Sequence, residues 1–280
     1  MDSSVLLCSD LDRTLLPNGT PPESPRARSY LRTATRHHEL ILAYVSGRHK
    51  QLIHQAISEY QIPTPDYAVG DVGTTIYRIS DNQWQPLDEW SETIAPDWAE
   101  AGHDDLKQLF ADLDILKLQE PEKQNRFKLS YYTPTQLERD QLLAEMNSRL
   151  KKEGVNASII WSVDEAANVG LLDVLPASAT KLHAVEFLME SLQCSVDDTV
   201  FAGDSGNDLP VVNSGRVQAV LVKNAHPDVI EEAKTELARK HASDKLYVAK
   251  GDFLGMNGNY AAGVLEGLVH FIPRTREWLE

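Results

Sequence analysis

Four stretches of this chain are almost wholly apolar, and each stops abruptly at a polar cluster. Val5 to Ser9 runs into "DLDRT", "LILAYV" into "SGR", "TVFAG" into "DSGND" and "VQAVLV" into "KNAHP". A strand with no polar alternation is covered on both faces, as inner strands of a parallel sheet are. Helical stripes separate these runs. Leu52, Ile53, Ala56, Ile57 and Tyr60 form one, and Leu182, Val185, Leu188, Met189 and Leu192 form another. "HPDVIEEAKTELARK" reads as a charged-faced helix, and Ser24-Pro25 as the N-cap and first position of a helix running to about His38. Strands alternating with helices predict a doubly wound parallel sheet.

The middle of the chain breaks this rhythm. From about Asn82 to Asp173 come Trp84, Trp90 and Trp98, an acidic run and the strand candidates "RFKLSYY" and "ASIIWSV". A helix from about Thr135 to Glu153 is expected between those strands. The tryptophans are expected in a core, as large aromatics usually are. The expectation is an α/β protein whose Rossmann-like parallel sheet core comprises residues 1–81 and 174–280. Residues 82–173 form a smaller inserted α+β domain.

Charge narrows the ligands. Lys plus Arg number 27 against 42 for Asp plus Glu, a formal net charge of −15 over 280 residues. No global basic field exists for nucleic acid or anionic membrane, so an anionic ligand needs a local cation or a metal. No run of eighteen apolar residues suggests a membrane span. "MDSSVLLCSD" lacks a basic n-region, and a cytoplasmic location is expected. Cys8 lies in an apolar run and reads as a small buried hydrophobe, with no disulfide to Cys194 expected.

Ligands of open parallel sheets bind beyond the carboxyl ends of the strands. The residues expected to meet there are Asp10 and Asp12, then Ser46-Gly47-Arg48, then Asp204 and Asp208, with Lys181 opening a nearby helix. Clustered carboxylates share protons or bind a cation, and hard oxygen ligands favour Mg2+. Ser46 and the backbone beside Gly47 suit phosphate oxygens, and Lys181 offsets negative charge. In that setting one carboxylate attacks phosphorus while a second protonates the leaving oxygen and later activates water. Asp10 is the expected nucleophile and Asp12 the expected acid and base.

"DLDRT", "VSGR", Lys181 and "GDSGND", in that order, resemble the four motifs of the haloacid dehalogenase-type phosphatases. The resemblance implies a metal held by Asp10, the Asp12 backbone carbonyl and Asp204, supported by Asp208. It also makes the middle module a cap that closes over substrate. "GDVGTTIY", "KLSYY", "LDVLP", "KNAHP" and "NGNYAAGVLEGLVHF" are similar to the sucrose-phosphate phosphatase branch over nearly the whole length. In that branch the lysine of the "K-x-S-Y-Y" strand holds the disaccharide phosphate, which implies Lys128. Arg48, Gln51 and Asn207 are further substrate-binding candidates.

One departure stands out: the position between Asp12 and Thr14 is small in such enzymes and is Arg13 here. It is counted with the substrate-binding candidates. Asp208 is equally suited to capping the helix that follows.

The expected function is Mg2+-dependent hydrolysis of a disaccharide phosphate, sucrose-6-phosphate first, through an aspartyl-phosphate. Mannosylfructose-phosphate and glucosyl- or mannosylglycerate-phosphate are alternatives. A metal-free dehalogenase would not keep Asp12 and Asp204, and a non-catalytic partner would be expected to have lost a catalytic residue. A small-molecule sugar phosphate is the expected partner, and association with the synthase that makes it stays open.

Overall fold

The computed structural model describes residues 4–164 and 167–279. The chain divides into two compact units, Met1–Pro86 with Lys181–Glu280, and Leu87–Thr180. In chain order the strands are β1 (Val5–Ser9), β2 (Leu40–Val45), β3 (Tyr67–Gly70), β4 (Thr75–Ser80), β5 (Gln83–Pro86) and β6 (Lys117–Leu118). They continue with β7 (Leu129–Thr133), β8 (Ala157–Asp164), β9 (Val169–Pro176), β10 (Thr199–Gly203), β11 (Gln218–Leu221) and β12 (Leu246–Val248). The α-helices are α1 (Ala27–Ala34), α2 (Lys50–Tyr60), α3 (Asp88–Ile94), α4 (His103–Leu109) and α5 (Arg139–Lys152). After them come α6 (Lys181–Ser191), α7 (Leu209–Val212), α8 (Pro227–Arg239) and α9 (Ala261–Phe271).

The first unit is built on one sheet in the order β12-β11-β10-β1-β2-β3-β4-β5. The six strands from β12 to β3 are parallel, and all five residues of β1 are buried, which accounts for its unbroken apolar run. β4 and β5 join antiparallel. The three-residue turn Asp71–Gly73 is too short for a crossover helix, so the chain doubles back as a hairpin. α9 is buried from Ala261 to Leu268 and lies close against β11. A Cβ on Gly267 would fall 2.2 Å from Val220 Cγ2, so only glycine admits the helix at that distance. Leu7, Leu11, Leu15 and Leu31 are fully buried in the same core, each stabilising it by ~1.5–3 kcal/mol.

The second unit carries an antiparallel sheet in the order β6-β7-β9-β8 with α3, α4 and α5. Trp90, Trp98, Phe110, Met146 and Leu150 form its interior, and Trp98 meets Phe127 edge-on at 5.7 Å.

Several expectations shift. The first boundary falls after β5 rather than at residue 82. Trp84 pairs with Ile79 of β4 and packs on His54, so its indole belongs to the large sheet. The second falls after Thr180, because β9 keeps pairing with β8 through Pro176. α1 begins at Ala27, not at Pro25. Ser24 Oγ accepts from Asn257 N instead of capping the helix, and the helix stops at Ala34. α5 begins at Arg139, because Arg139 N closes on Leu137 O in a tighter turn than a helix makes. Leu52, expected on the buried stripe of α2, is 38% exposed. Cys8 and Cys194 are buried free thiols. Among the described residues no helix is long and apolar enough to cross a membrane.

Candidate active site

β1 is flanked by β10 and β2, so the chain leaves this central strand in opposite directions along the sheet. Such a switch point opens a crevice at the strand ends. Three loops meet there around a cavity of about 400 Å3. The loop after β1 brings Asp10, Asp12 and Arg13; that after β2 brings Ser46, Gly47 and Arg48; that after β10 brings Asp204, Ser205 and Asn207. Register sets their heights: Ser9 lies beside Ala202 and Tyr44, and Asp10 N donates to Ala202 O at 2.9 Å.

Asp10, Asp204 and Asp208 are buried and offer carboxylate oxygens within 4.8 Å of one another. Lys181, the first residue of α6, donates from Nζ to Asp10 Oδ1 at 2.9 Å and Asp208 Oδ1 at 2.7 Å. Burial pushes the Asp10 carboxyl up to about 7; the Lys181 charge opposes this and Asp208 adds to it. Burial likewise works against the Lys181 ammonium, but Asp10 and Asp208 outweigh it and hold its pKa above the ordinary value. One cation shared between carboxylates thus stays charged without fully offsetting either. Burial, reinforced by Asp208, also raises Asp204, against the Arg13 charge and the Thr14 hydroxyl.

Asp208 has little freedom. Its Oδ2 accepts from Asp204 N at 3.0 Å and Ser205 N at 3.1 Å, which fixes the turn, while Oδ1 holds Lys181. A Cβ on Gly203 would lie 2.6 Å from Asp208 Cβ and Cγ, so glycine is required where β10 ends.

Asp12 is placed differently. It is half-buried, and Arg48 donates from Nε to its Oδ2 at 2.8 Å and from Nη2 to its Oδ1 at 2.6 Å. Asn18 Nδ2 donates to Oδ1 at 2.7 Å. Burial pushes the Asp12 carboxyl up, but the Arg48 bonds and charge, with Asn18, more than reverse this and hold it below its ordinary value.

The carboxylates fit a small divalent cation. The donors are all hard oxygens, and Asp204 Oδ2 is buried without a hydrogen-bond partner among the described residues. Ser46 is buried and its Oγ accepts from Arg48 N at 3.2 Å. A Cβ on Gly47 would meet nothing within 4 Å, so the backbone there faces open space. Asn207 Oδ1 lies 3.4 Å from Lys181 Nζ.

Four candidates are not among the residues lining this cavity: Lys181 and Asp208, which reach it through their contacts with Asp10 and Asp204, and Gln51 and Lys128. Gln51 is exposed on the first turn of α2, and the next residue, Leu52, contributes to the wall instead. Lys128, in the second unit, donates from Nζ to Lys123 O at 2.8 Å and Ser130 Oγ at 2.7 Å, beside Asp173 Oδ1 at 3.3 Å. Ser205, Asn18, Thr14 and Asn224 were not singled out from the sequence as site residues. Asn18 follows Pro17 in a turn just after the motif, and Asn224 sits in "KNAHP", so both signals were local.

A Rossmann-like core with two aspartates after β1, a serine after β2, a lysine opening α6 and an acidic turn after β10 defines the haloacid dehalogenase-type phosphatases, which are phosphoric monoester hydrolases. Residues 3–272 match the family profile described as sucrose-6F-phosphate phosphohydrolase, and the chain belongs to that family. It is 57% identical over 280 residues to a HAD-like hydrolase of Nitrosococcus oceani, covering 100% of this chain and 75% of that protein. It is 26% identical over 267 residues to the mannosylfructose-phosphate phosphatase of Agrobacterium fabrum, covering 95% and 96%. It spans 59% of the length of the plant sucrose-phosphatases it also matches. The sucrose-phosphatase of Synechocystis, solved with sucrose and phosphate, superposes with a TM-score of 0.69 at 24% identity, over 97% of this chain and 99% of that one; this shows a shared fold.

Proposed function

We propose that this chain hydrolyses the phosphate monoester of a disaccharide, sucrose-6-phosphate first, in a Mg2+-dependent reaction. The observation that carries the reading is the buried Asp10 carboxylate, held by Lys181 at 2.9 Å and gathered with Asp204 and Asp208 at the switch point. Asp10, Asp204 and the Asp12 backbone carbonyl would hold the ion, with Asp208 supporting. Bound there, Mg2+ supplies positive charge to the phosphoryl oxygens.

The chain's own residues divide the remaining work. An Asp10 oxygen attacks phosphorus, the bond from phosphorus to the sugar oxygen breaks, and Asp12 delivers a proton to that oxygen. Asp12 then takes a proton from water as the water oxygen attacks phosphorus, releasing phosphate and restoring Asp10. Ser46, the amides beside Gly47 and Lys181 hold the transferring group. Arg48 has a further part. Because Arg48 occupies both oxygens of Asp12 and holds its carboxyl low, Asp12 takes up the proton it delivers, and reaches the leaving oxygen, only when Arg48 turns away, and the substrate phosphate offers the guanidinium a competing acceptor. Asn207 lies at the same wall. Resemblance alone assigns Lys128 to the sugar, and Nζ would exchange one of its present partners on binding.

A second substrate, mannosylfructose-phosphate, is supported by the near end-to-end match to the Agrobacterium enzyme. The test is phosphate release from sucrose-6-phosphate, mannosylfructose-phosphate, trehalose-6-phosphate and glucosylglycerate-phosphate, each with Mg2+ and with EDTA. EDTA-sensitive release from the first supports the reading, release from the second alone moves the substrate, and no release from any overturns it.

A further inference from the structure

Arg13 stands where a small residue is expected, and its backbone takes a left-handed φ of 59° that a small residue adopts more readily. The strain is held from both sides. Arg13 N donates to Asn18 Oδ1 at 2.8 Å, and Arg13 O accepts from Asn224 Nδ2 at 2.6 Å. The side chain then runs past Gly19 and brings Nε to 3.4 Å from Asp204 Oδ2. That oxygen is buried and without a hydrogen bond among the described residues.

Asp10, Asp12, Asp204 and Asp208 are faced by Lys181, Arg48 and Arg13, and these cations differ in how firmly they are held. Lys181 is fixed between two buried carboxylates at 2.9 and 2.7 Å. Arg48 is bidentate on Asp12. Among the described residues the Arg13 side chain makes a single long ionic contact, and it is 51% exposed. It is the one that can leave at little cost, since its stem reaches solvent without repacking the core.

We propose that Arg13 is a displaceable counter-ion of the metal site, competing with the divalent cation for Asp204 and so weakening the protein's affinity for it. The inference rests on the metal reading above and adds a role for this residue. A cation held by Asp204 Oδ2 would share that oxygen with the guanidinium 3.4 Å from it, and the two positive charges would repel. With a small neutral residue at position 13, Asp204 would be free to take the ion without first losing a partner.

The test is calorimetric titration of Mg2+ into the metal-free protein and into Arg13→Asn, Arg13→Gln and Asp204→Asn, with circular dichroism to establish folding. Arg13→Asn accommodates the backbone, and Arg13→Gln keeps two of the three stem methylenes while removing the charge. Both are expected to bind Mg2+ more tightly by roughly twofold to fivefold, the scale of a partly exposed ion pair. Asp204→Asn is expected to lose saturable binding. Equal or weaker binding in the two Arg13 variants, with Asp204→Asn defective, overturns the counter-ion role alone. Absence of saturable binding in the unaltered protein overturns the metal reading and this inference with it.

Discussion

Arg48 grips Asp12 through two parallel hydrogen bonds of 2.6 and 2.8 Å, although they lie on loops after different strands, 36 residues apart. A planar fork on a carboxylate fixes both groups in direction as well as distance. Arg48→Lys keeps the charge but loses the fork. We expect kcat to fall on the order of tenfold to a hundredfold, more than KM rises. Stability should change by less than ~1 kcal/mol, since the pair is partly exposed. Steady-state kinetics with a melting curve checks both; unchanged kcat would remove Arg48 from the positioning of Asp12.

Asp10→Asn removes the proposed nucleophile while keeping its shape. Turnover should drop on the order of 10^3-fold or more. The metal-free fold should be no less stable, because the variant no longer buries a carboxyl that burial pushes up to about 7. Phosphate release and thermal unfolding check the pair of outcomes, and a fully active variant would sink the assignment.

The same carboxyl gives the metal-free protein a pH dependence. Its folded-state pKa of about 7 lies above the ordinary 3.8, so between these values the folded state binds more protons than the unfolded one. Stability from this group is therefore greatest at the acid end of that window and declines as pH rises toward 7. Asp204, raised in the same direction, adds to the trend. Saturating Mg2+ should offset it, contributing about 2.7 kcal/mol at a hundred times Kd. Melting curves from pH 5 to 7.5, with Mg2+ and with EDTA, should diverge as pH rises; parallel curves would contradict the assignment.

Gly203→Ala places a methyl 2.6 Å from Asp208 in a turn whose backbone donors that carboxylate already holds. Overpacking of this kind costs ~1–3 kcal/mol. We expect the melting temperature to fall by about 2–10 °C. Activity measured well below the melting point should fall as well, because Asp208 orients Lys181. Loss of stability with kcat intact would uncouple the turn from the lysine.

The sequence revealed the site's membership better than its pairings. Apolar runs ending at Ser9, Val45 and Gly203 placed Asp10, Ser46 and Asp204 together, since strand ends in a parallel sheet converge wherever the order reverses. Which cation would face which carboxylate was not legible. Arg13 and Arg48 have long stems, and their partners depend on loop heights set by strand register. Helix ends were misread for a related reason: Ser24 is a good cap by type, but its hydroxyl is claimed by Asn257, 233 residues away. Trp84 looked like part of the insertion because a tryptophan cluster carries no label for the sheet it will join.

The second unit ends at Thr180, and the core resumes at Lys181, the residue that touches both Asp10 and Asp208. The two junctions of the insertion are therefore unequal for anyone wishing to exchange it. At Leu87 the chain departs after an edge strand, and a residue gained or lost there leaves every carboxylate where it stands. A residue gained or lost just after Lys181 would instead rotate the lysine by about 100° relative to the buried face of α6, turning its ammonium away from the cluster. A replacement insertion can therefore vary in length at the first splice, but at the second it must leave Lys181 and the helix behind it intact.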